Sequence, residues 1–283
     1  MSESGPYHDV RGSGPVLLVL PGGAGHPMGL DPLLDRLAAR FTVVTYDPLG
    51  LAHGRLGLPV EDQRVERWSD GARHVLDAAL PDGEPAYVVG FSSGGIAALD
   101  LLARHPQRIA HVVAHEPPCV TPLPDGERQR ARFQEVVATY RAAGPEAAAS
   151  RLHAVLEERE RWEPPHGPVP AGDGEQTVTE GRPLGRQEEL NHPMALFLRH
   201  VLGPFTAYVP DRTALAAAHR TARLTLAAGT DSRGQLLHRT AGFLAGWADG
   251  DFAEFPGGHV GAATHAGEFA DRLAGLLSVS RPD

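Results

Sequence analysis

The part of the sequence that decides the fold is a glycine-rich junction between an apolar run and a helical pattern. It reads Tyr87-Val88-Val89-Gly90-Phe91-Ser92-Ser93-Gly94-Gly95. The pattern Gly-x-Ser-x-Gly between a strand and a helix is typical of a nucleophile elbow, in which a strained turn lifts the serine clear of the backbone. Ser92 would occupy that tip, and Gly90 and Gly94 would lack side chains because the chain is crowded there. The alternative interpretation is a glycine turn with an incidental serine, but the correct flanks on both sides favour the elbow.

Strand and helix patterns alternate on both sides of this junction. Further apolar runs predict buried strands at residues 16–20, 42–46, 109–114, 224–228 and 252–255. Strands that alternate with helices indicate an α/β fold with a mostly parallel, doubly wound sheet. A proline-rich start and several helical patterns interrupt the alternation, which predicts an inserted helical cap at residues 117–212. The predicted core therefore comprises residues 1–116 and 213–283.

Composition excludes several classes of function. All 26 basic residues are arginine, so lysine-dependent chemistry such as Schiff-base formation is excluded. The single cysteine, Cys119, excludes an internal disulfide and a cysteine metal cluster. A net charge of −9 argues against a nucleic-acid partner. No apolar run approaches the ~20 residues that span a bilayer, and the polar start resembles no signal peptide. We therefore expect a cytoplasmic protein with a small-molecule substrate and no membrane partner; a homodimer stays open.

A dinucleotide site is the competing interpretation of the N-terminal part of the chain. A strand is followed by a run containing Gly23, Gly25 and Gly29, then by a helix and a second strand that ends at Asp47. A pyrophosphate site needs the helix to begin within the glycine run. Here the helical pattern begins at Asp31, beyond the run. This order argues against a nucleotide-dependent oxidoreductase.

A serine nucleophile needs a base that takes its proton and an acid that orients the base. In an elbow enzyme these follow Ser92 in the order acid, then histidine. His259 is the preferred base, because its glycine-rich loop follows the last predicted strand, and His115 is its rival. Asp231, just after the last strand but one, is the preferred acid. Glu116, which follows the strand after the elbow helix, is the alternative.

Acyl transfer also needs hydrogen-bond donors for the negative charge that develops on the carbonyl oxygen. The backbone N–H of Ser93 at the helix start is one candidate. The N–H of Gly23 in the loop after the first buried strand is the other, with Ala24 as its alternative. The polar stretch at residues 163–185 is predicted to be a mobile gate of the cap. Candidate substrate-binding residues on the cap helices are Phe133, Phe197 and Phe205.

Five segments together resemble the α/β-hydrolase fold family in its capped form. They are Pro21-Gly22-Gly23-Ala24-Gly25, Tyr46-Asp47, Gly90-Phe91-Ser92-Ser93-Gly94-Gly95, His115-Glu116-Pro117-Pro118 and Gly257-Gly258-His259-Val260. The chain is most similar to small cytoplasmic hydrolases common in actinobacteria. It departs from the family pattern at Pro21, where a histidine is usual, and in the segment after Asp47, which lacks the usual arginine. Epoxide hydrolases and haloalkane dehalogenases of the family carry an aspartate at the elbow, so Ser92 argues against both.

The resemblance implies a serine hydrolase without cofactor or metal that cleaves a carboxylic ester, a thioester or a related acyl bond. In this hypothesis Ser92 attacks, His259 relays the proton and Asp231 orients His259. Relatives of the same fold use the site for C–C bond cleavage, or for lyase or cyclase steps in natural-product biosynthesis. A catalytically silent protein that keeps only the pocket is a third class. The sequence leaves these alternatives open, since a fold does not determine a function.

Overall fold

A computed structural model describes residues 8–23, 29–48, 59–158, 184 and 186–278. The strands within these ranges are β1 His8–Arg11, β2 Val16–Leu20, β3 Thr42–Tyr46, β4 Ala86–Phe91, β5 Ile109–His115, β6 Arg223–Gly229 and β7 Asp251–Phe255. They form one sheet in the order β1-β3-β2-β4-β5-β6-β7. Strand β1 is antiparallel to β3, and every other neighbouring pair is parallel. The predicted fold class is confirmed.

Helices cover the sheet and fill the long connection between β5 and β6. In the described residues they are α1 Asp31–Ala38, α2 Val65–Ala79, α3 Ser93–Arg104, α4 Gly126–Leu156, α5 Arg186–Leu190, α6 Pro193–Leu196, a π-helix Phe197–Val201, α7 Leu202–Thr206, α8 Arg212–Ala218, α9 Leu236–Trp247, α10 Gly261–Thr264 and α11 Ala266–Ser278. Short 3-10 turns lie at Pro106–Arg108 and Thr230–Ser232.

The sheet is buried on both faces, and the alternation of side chains along each strand divides the core into two layers. In β2, Leu18 and Leu20 join the apolar layer formed with α2, α3 and α9. Leu17 and Val19 point the other way and pack with α1 and α11. A strand that is apolar at every position therefore lies where both of its faces are covered, as its sequence predicted.

The backbone conformation of single residues sets two helix boundaries. Helix α2 begins at Val65, directly after Arg64, which is still extended. Helix α4 is interrupted at Gly144, whose φ of 85° breaks the helical geometry and allows Pro145 to start the next segment. The predicted gate at residues 163–185 lies outside the described residues, except for one position.

The helices between β5 and β6 pack directly on helix α9. Their apolar cluster, which includes Phe133, also contains Leu236 of the core helix α9. The guanidinium of Arg239 on α9 donates to Asp125 at 3.0 Å and to Glu158 at 2.7 Å, so it ties both ends of α4 to the core. The division of the chain into core and cap stays a prediction, but these contacts hold the helices between β5 and β6 against α9.

Candidate active site

Ser92 sits at a strained turn between β4 and α3. Its φ of 51° and ψ of −118° are rare for a residue with a side chain, and such strain costs about 1–3 kcal/mol. A Cβ at Gly94 would lie 2.3 Å from the carbonyl oxygen of Leu20, and one at Gly90 would lie 2.4 Å from the carbonyl oxygen of Gly94. Both glycines therefore permit the close approach that the turn requires. The Ser92 side chain is half-buried, as a reactive group that substrate must reach should be.

His259 lies in the loop that follows β7, as the sequence predicted. Its Nδ1 is 2.8 Å from Oε2 of Glu116, and 32% of the side chain is exposed. The loop rests on the end of β6, because a Cβ at Gly229 would lie only 2.3 Å from the carbonyl oxygen of Gly257. A proton on Nδ1 donates to the carboxylate and leaves Nε2 with a free lone pair. This is the arrangement that a general base needs.

The carboxylate of Glu116 is held in place from two sides. Its side chain is 1% exposed; Oε2 faces His259, and Oε1 accepts a hydrogen bond from the N–H of Gly229 at 2.9 Å. Its own N–H donates to the carbonyl oxygen of Ala227, so the residue is anchored to β6 although it ends β5. Burial alone would raise the pKa of Glu116, but the hydrogen bond and charge of His259 outweigh it and lower that pKa to about 2. The carboxylate is therefore ionised at neutral pH.

The prediction that Asp231 orients His259 is wrong. The Asp231 side chain is exposed, and its Oδ1 accepts a 3.4 Å hydrogen bond from the hydroxyl of Thr230. Nδ1 of His259 faces Glu116 instead, the alternative that the sequence left open. The contribution of Asp231 to this region comes from its backbone N–H, which donates to the carbonyl oxygen of Gly257 at 3.0 Å. It braces the histidine loop without presenting a carboxylate to the ring.

His115, the rival base, is buried beneath the site. Its ring packs against those of Phe91, Phe255 and Phe269, with centroids 5.2–6.0 Å away. Neither ring nitrogen has a hydrogen-bond partner among the described residues. Burial lowers the pKa of His115 to about 4, so the ring is neutral at physiological pH. A side chain that is 1% exposed offers no nitrogen to a substrate, which leaves His259 as the accessible histidine of the pair.

Two backbone segments meet at Ser92 and carry the predicted oxyanion donors. Ser93 is the first residue of α3, so its N–H has no acceptor within the helix. Gly23 follows β2 in a left-handed conformation with φ of 54°. Sequence reasoning missed Gly22, where a Cβ would lie 2.9 Å from that of Ser92. Its signal was the run of adjacent glycines. The alternative donor Ala24 lies outside the described residues.

Comparison with known proteins identifies the family of this chain. A sequence profile described as the α/β-hydrolase fold matches residues 15–156. The hydrolase YraK of Bacillus subtilis, itself uncharacterized, is 30% identical over 274 residues, which cover 96% of this chain and 92% of that protein. This chain belongs to the α/β-hydrolase fold family.

Solved structures of other α/β hydrolases share the architecture at low identity. A thermophilic esterase from Thermogutta terrifontis superposes with a TM-score of 0.64 at 13% identity, and the match covers 96% of this chain and 92% of that one. An enol-lactonase from Burkholderia xenovorans LB400 superposes with a TM-score of 0.58 at 14% identity, covering 96% of each chain. At such identities the likeness concerns the fold.

The three aromatic residues predicted to bind substrate occupy different environments in this α/β hydrolase. Phe133 has no accessible surface and lies inside the cap cluster. Phe205 is equally buried, and its ring contacts that of Trp68 with centroids 4.6 Å apart. A side chain without accessible surface borders no space that admits water, so both have packing roles in this structure. Phe197 is half-buried and contacts both clusters.

No helix in the described ranges is both long and apolar enough to cross a membrane. The candidate site consists of groups that follow three strands at one edge of the sheet. The half-buried serine follows β4, the buried carboxylate follows the adjacent strand β5, and the partly exposed histidine follows β7, with β6 between the last two. In open α/β sheets, ligands bind outside the carboxyl ends of the strands, which is where these three groups lie.

Proposed function

We propose that this protein is a serine hydrolase, acting without a cofactor, that cleaves an ester, thioester or related acyl bond of a small molecule. The observation that carries the proposal is the pairing of His259 with the buried Glu116 beside the strained Ser92 elbow. In an acyl transfer of this kind, a serine attacks, a histidine takes its proton, and a carboxylate stabilises the imidazolium that forms. Ser92, His259 and Glu116 supply these three groups.

The proposed reaction proceeds in two halves. Ser92 Oγ forms a bond to the carbonyl carbon while its proton passes to Nε2 of His259, and the negative oxygen receives N–H bonds from Ser93 and Gly23. The bond to the leaving group then breaks, and the alcohol or thiol departs with the proton from His259. Water attacks the acyl-serine with His259 again as the base. The carboxylic acid leaves, and Ser92 regains its proton.

The charge state of Glu116 suits this role. Its low pKa keeps the carboxylate ionised while His259 takes and returns protons. Because the carboxylate is almost fully buried, water screens its attraction for the imidazolium only weakly. Esterase and enol-lactonase are among the names of the structural neighbours, and hydrolase is the name of the B. subtilis relative. These names support acyl hydrolysis as the reaction class to test first.

A fluorophosphonate probe, which reacts with activated serines, tests the proposal. The wild type should be labelled at Ser92, as identified by mass spectrometry of the peptide, and Ser92→Ala should not be labelled. Asp231→Asn should be labelled at the wild-type rate, because its exposed side chain lies outside the buried pair. Turnover of p-nitrophenyl esters of increasing chain length then separates hydrolysis from other chemistry at the same serine. A wild type that resists the probe and turns over none of these esters would contradict the proposal.

A further inference from the structure

The 3-10 turn after β6 carries a buried hydroxyl that the proposed reaction does not use. Ser232 is 1% exposed, and its Oγ has no partner of standard hydrogen-bond geometry among the described residues. A buried hydroxyl left without a partner is unfavourable, because water satisfied it in the unfolded chain. Native proteins keep few such groups, so this one calls for a physical reason.

The surroundings of Ser232 supply that reason. Its turn begins directly after Gly229, whose N–H holds Oε1 of Glu116. On its other side the hydroxyl faces the histidine loop, since a Cβ at Gly258 would lie 3.4 Å from Oγ of Ser232. The hydroxyl therefore lies between the strand end that anchors the carboxylate and the residue that precedes His259.

The carboxylate has room for another donor. An ionised carboxylate offers about four lone-pair sites. The N–H of Gly229 and Nδ1 of His259 each occupy one, on different oxygens. The Ser232 hydroxyl also contributes, by hydrogen bonding, to lowering the pKa of Glu116, after the larger contributions of His259 and His115.

We infer that Ser232 is a positioning residue that donates its hydroxyl proton to the Glu116 carboxylate and so fixes the side of the carboxylate that faces His259. The inference rests on the proposed function for its catalytic meaning, but its structural content is separate. The hydroxyl withdraws charge from the carboxylate. Its removal makes the carboxylate a stronger partner for the imidazolium, so the pKa of His259 rises. Among the described residues near the pair, the His115 ring is neutral, the Asp231 side chain is exposed, and the His265 ring lies beside Gly257 of the histidine loop.

The test is an NMR titration of the His259 ring in the resting protein, in which no turnover is needed. Ser232→Ala should raise the pKa of His259 by about half a unit, equivalent to a roughly threefold fall in its neutral fraction on the acid side. Asp231→Asn is the matched control, because it changes the adjacent residue and should leave that pKa unchanged. An unchanged or lowered pKa in Ser232→Ala, or an equal rise in Asp231→Asn, would overturn the inference.

A second measurement separates this inference from the proposed function. The acid limb of the kcat/KM profile reports the base of the free enzyme. If His259 is that base, the limb should move upward in Ser232→Ala by the amount found in the titration. A shifted titration with an unmoved acid limb supports the Ser232 contact and contradicts the role of His259 as base. An unshifted titration overturns the Ser232 contact, whatever the activity of the variant.

Discussion

The backbone N–H of Ser92 donates a hydrogen bond to the carbonyl oxygen of His115, 2.9 Å away. Because Glu116 is the next residue, the proposed nucleophile and the proposed acid are joined through one hydrogen bond between the neighbouring strands β4 and β5. Both residues adopt a positive φ, 51° at Ser92 and 45° at Glu116, where the chain leaves its strand. Strained backbone is often found at functional sites, and here it occurs at two adjacent positions. The turns after β4 and β5 direct the side chains of Ser92 and Glu116 to the same edge of the sheet.

This arrangement predicts that Glu116→Gln is the damaging amide substitution and Asp231→Asn the mild one. An amide at position 116 can no longer hold the correct imidazole tautomer or stabilise the imidazolium, so kcat should fall by about 10⁴. Asp231→Asn should stay within threefold of the wild type, because its side chain is exposed and its hydrogen bond to the histidine loop comes from the backbone N–H. Steady-state rates of both variants with one ester substrate check this. The reverse ranking would return the acid to the end of β6.

The sequence could narrow the acid to these two residues but could not choose between them. Glu116 and Asp231 follow adjacent parallel strands, paired at His115 and Ala227, so both end at the same edge of the sheet. The choice between them depends on local conformation. Glu116 leaves its strand with a positive φ, and its carboxylate accepts a hydrogen bond from the N–H of Gly229. A positive φ at a glutamate is not encoded in any residue pattern. By contrast, the strands could be predicted from apolar runs, because a parallel strand covered on both faces must be apolar at every position. The position of Ser92 could be predicted from the spacing of the glycines, because a tight turn leaves no room for side chains there.

The tight turn at Ser92 predicts that one added methyl group, in Gly94→Ala, strongly lowers the stability of the fold. In Gly94→Ala the new Cβ would lie 2.3 Å from the carbonyl oxygen of Leu20 and 2.4 Å from that of Pro21, so the end of β2 must move. We expect a loss of at least about 3 kcal/mol in the free energy of unfolding, or an insoluble protein, since backbone cannot relax as a side-chain tip can.

The matched control for that change is Gly242→Ala, in the middle of α9. A Cβ there meets nothing within 4 Å. Alanine favours the helix over glycine by up to about 1 kcal/mol, so this variant should be as stable as the wild type or more so. Urea unfolding of both variants gives the comparison. A Gly94→Ala protein with wild-type stability would show that the start of α3 and the end of β2 do not meet as tightly as described.

Phe133 and Phe205 should behave as core residues rather than as substrate contacts. Each has no accessible surface, and replacement by alanine should cost about 3–5 kcal/mol of stability. The order of preference among p-nitrophenyl esters of different chain length should not change, because neither ring borders open space. Phe197→Ala, at a half-buried position in the same helical region, is the comparison. A reordered preference in Phe133→Ala or Phe205→Ala, measured at a temperature where the variant is folded, would place that ring in the pocket.

The sequence could not tell a core-packing aromatic residue from one that contacts substrate, and the reason applies to any amphipathic helix that covers a site. An aromatic residue on an amphipathic helix has the same pattern whether its buried face meets protein or a cavity. Phe205 lies on a short helix that packs against Trp68 of α2, a contact between residues far apart in the chain. Only the assembled cap and core show that this ring is enclosed.

His115 predicts a specific pH dependence of stability. Its pKa is lowered by burial from 6.5 to about 4, so between these values the unfolded chain binds a proton that the folded chain does not. Stability should therefore fall as the pH falls through this window, by about 2 kcal/mol between pH 7.5 and 5 from this residue alone. In His115→Leu this contribution is absent, and the surrounding rings of Phe91, Phe255 and Phe269 should accept the apolar side chain.

Urea unfolding of the wild type and His115→Leu at pH 7.5 and pH 5 measures the effect. The difference in unfolding free energy between the two proteins should change by about 2 kcal/mol in favour of the variant at the lower pH. The carboxylate of Glu116 should not change this difference in unfolding free energy, because its pKa of about 2 keeps it ionised in the folded protein at both pH values. Since His115 is also the rival base, the same variant should keep its fluorophosphonate labelling at Ser92 within tenfold of the wild type. Equal pH dependence in the two proteins would mean that the His115 ring reaches water or a partner when it takes up a proton.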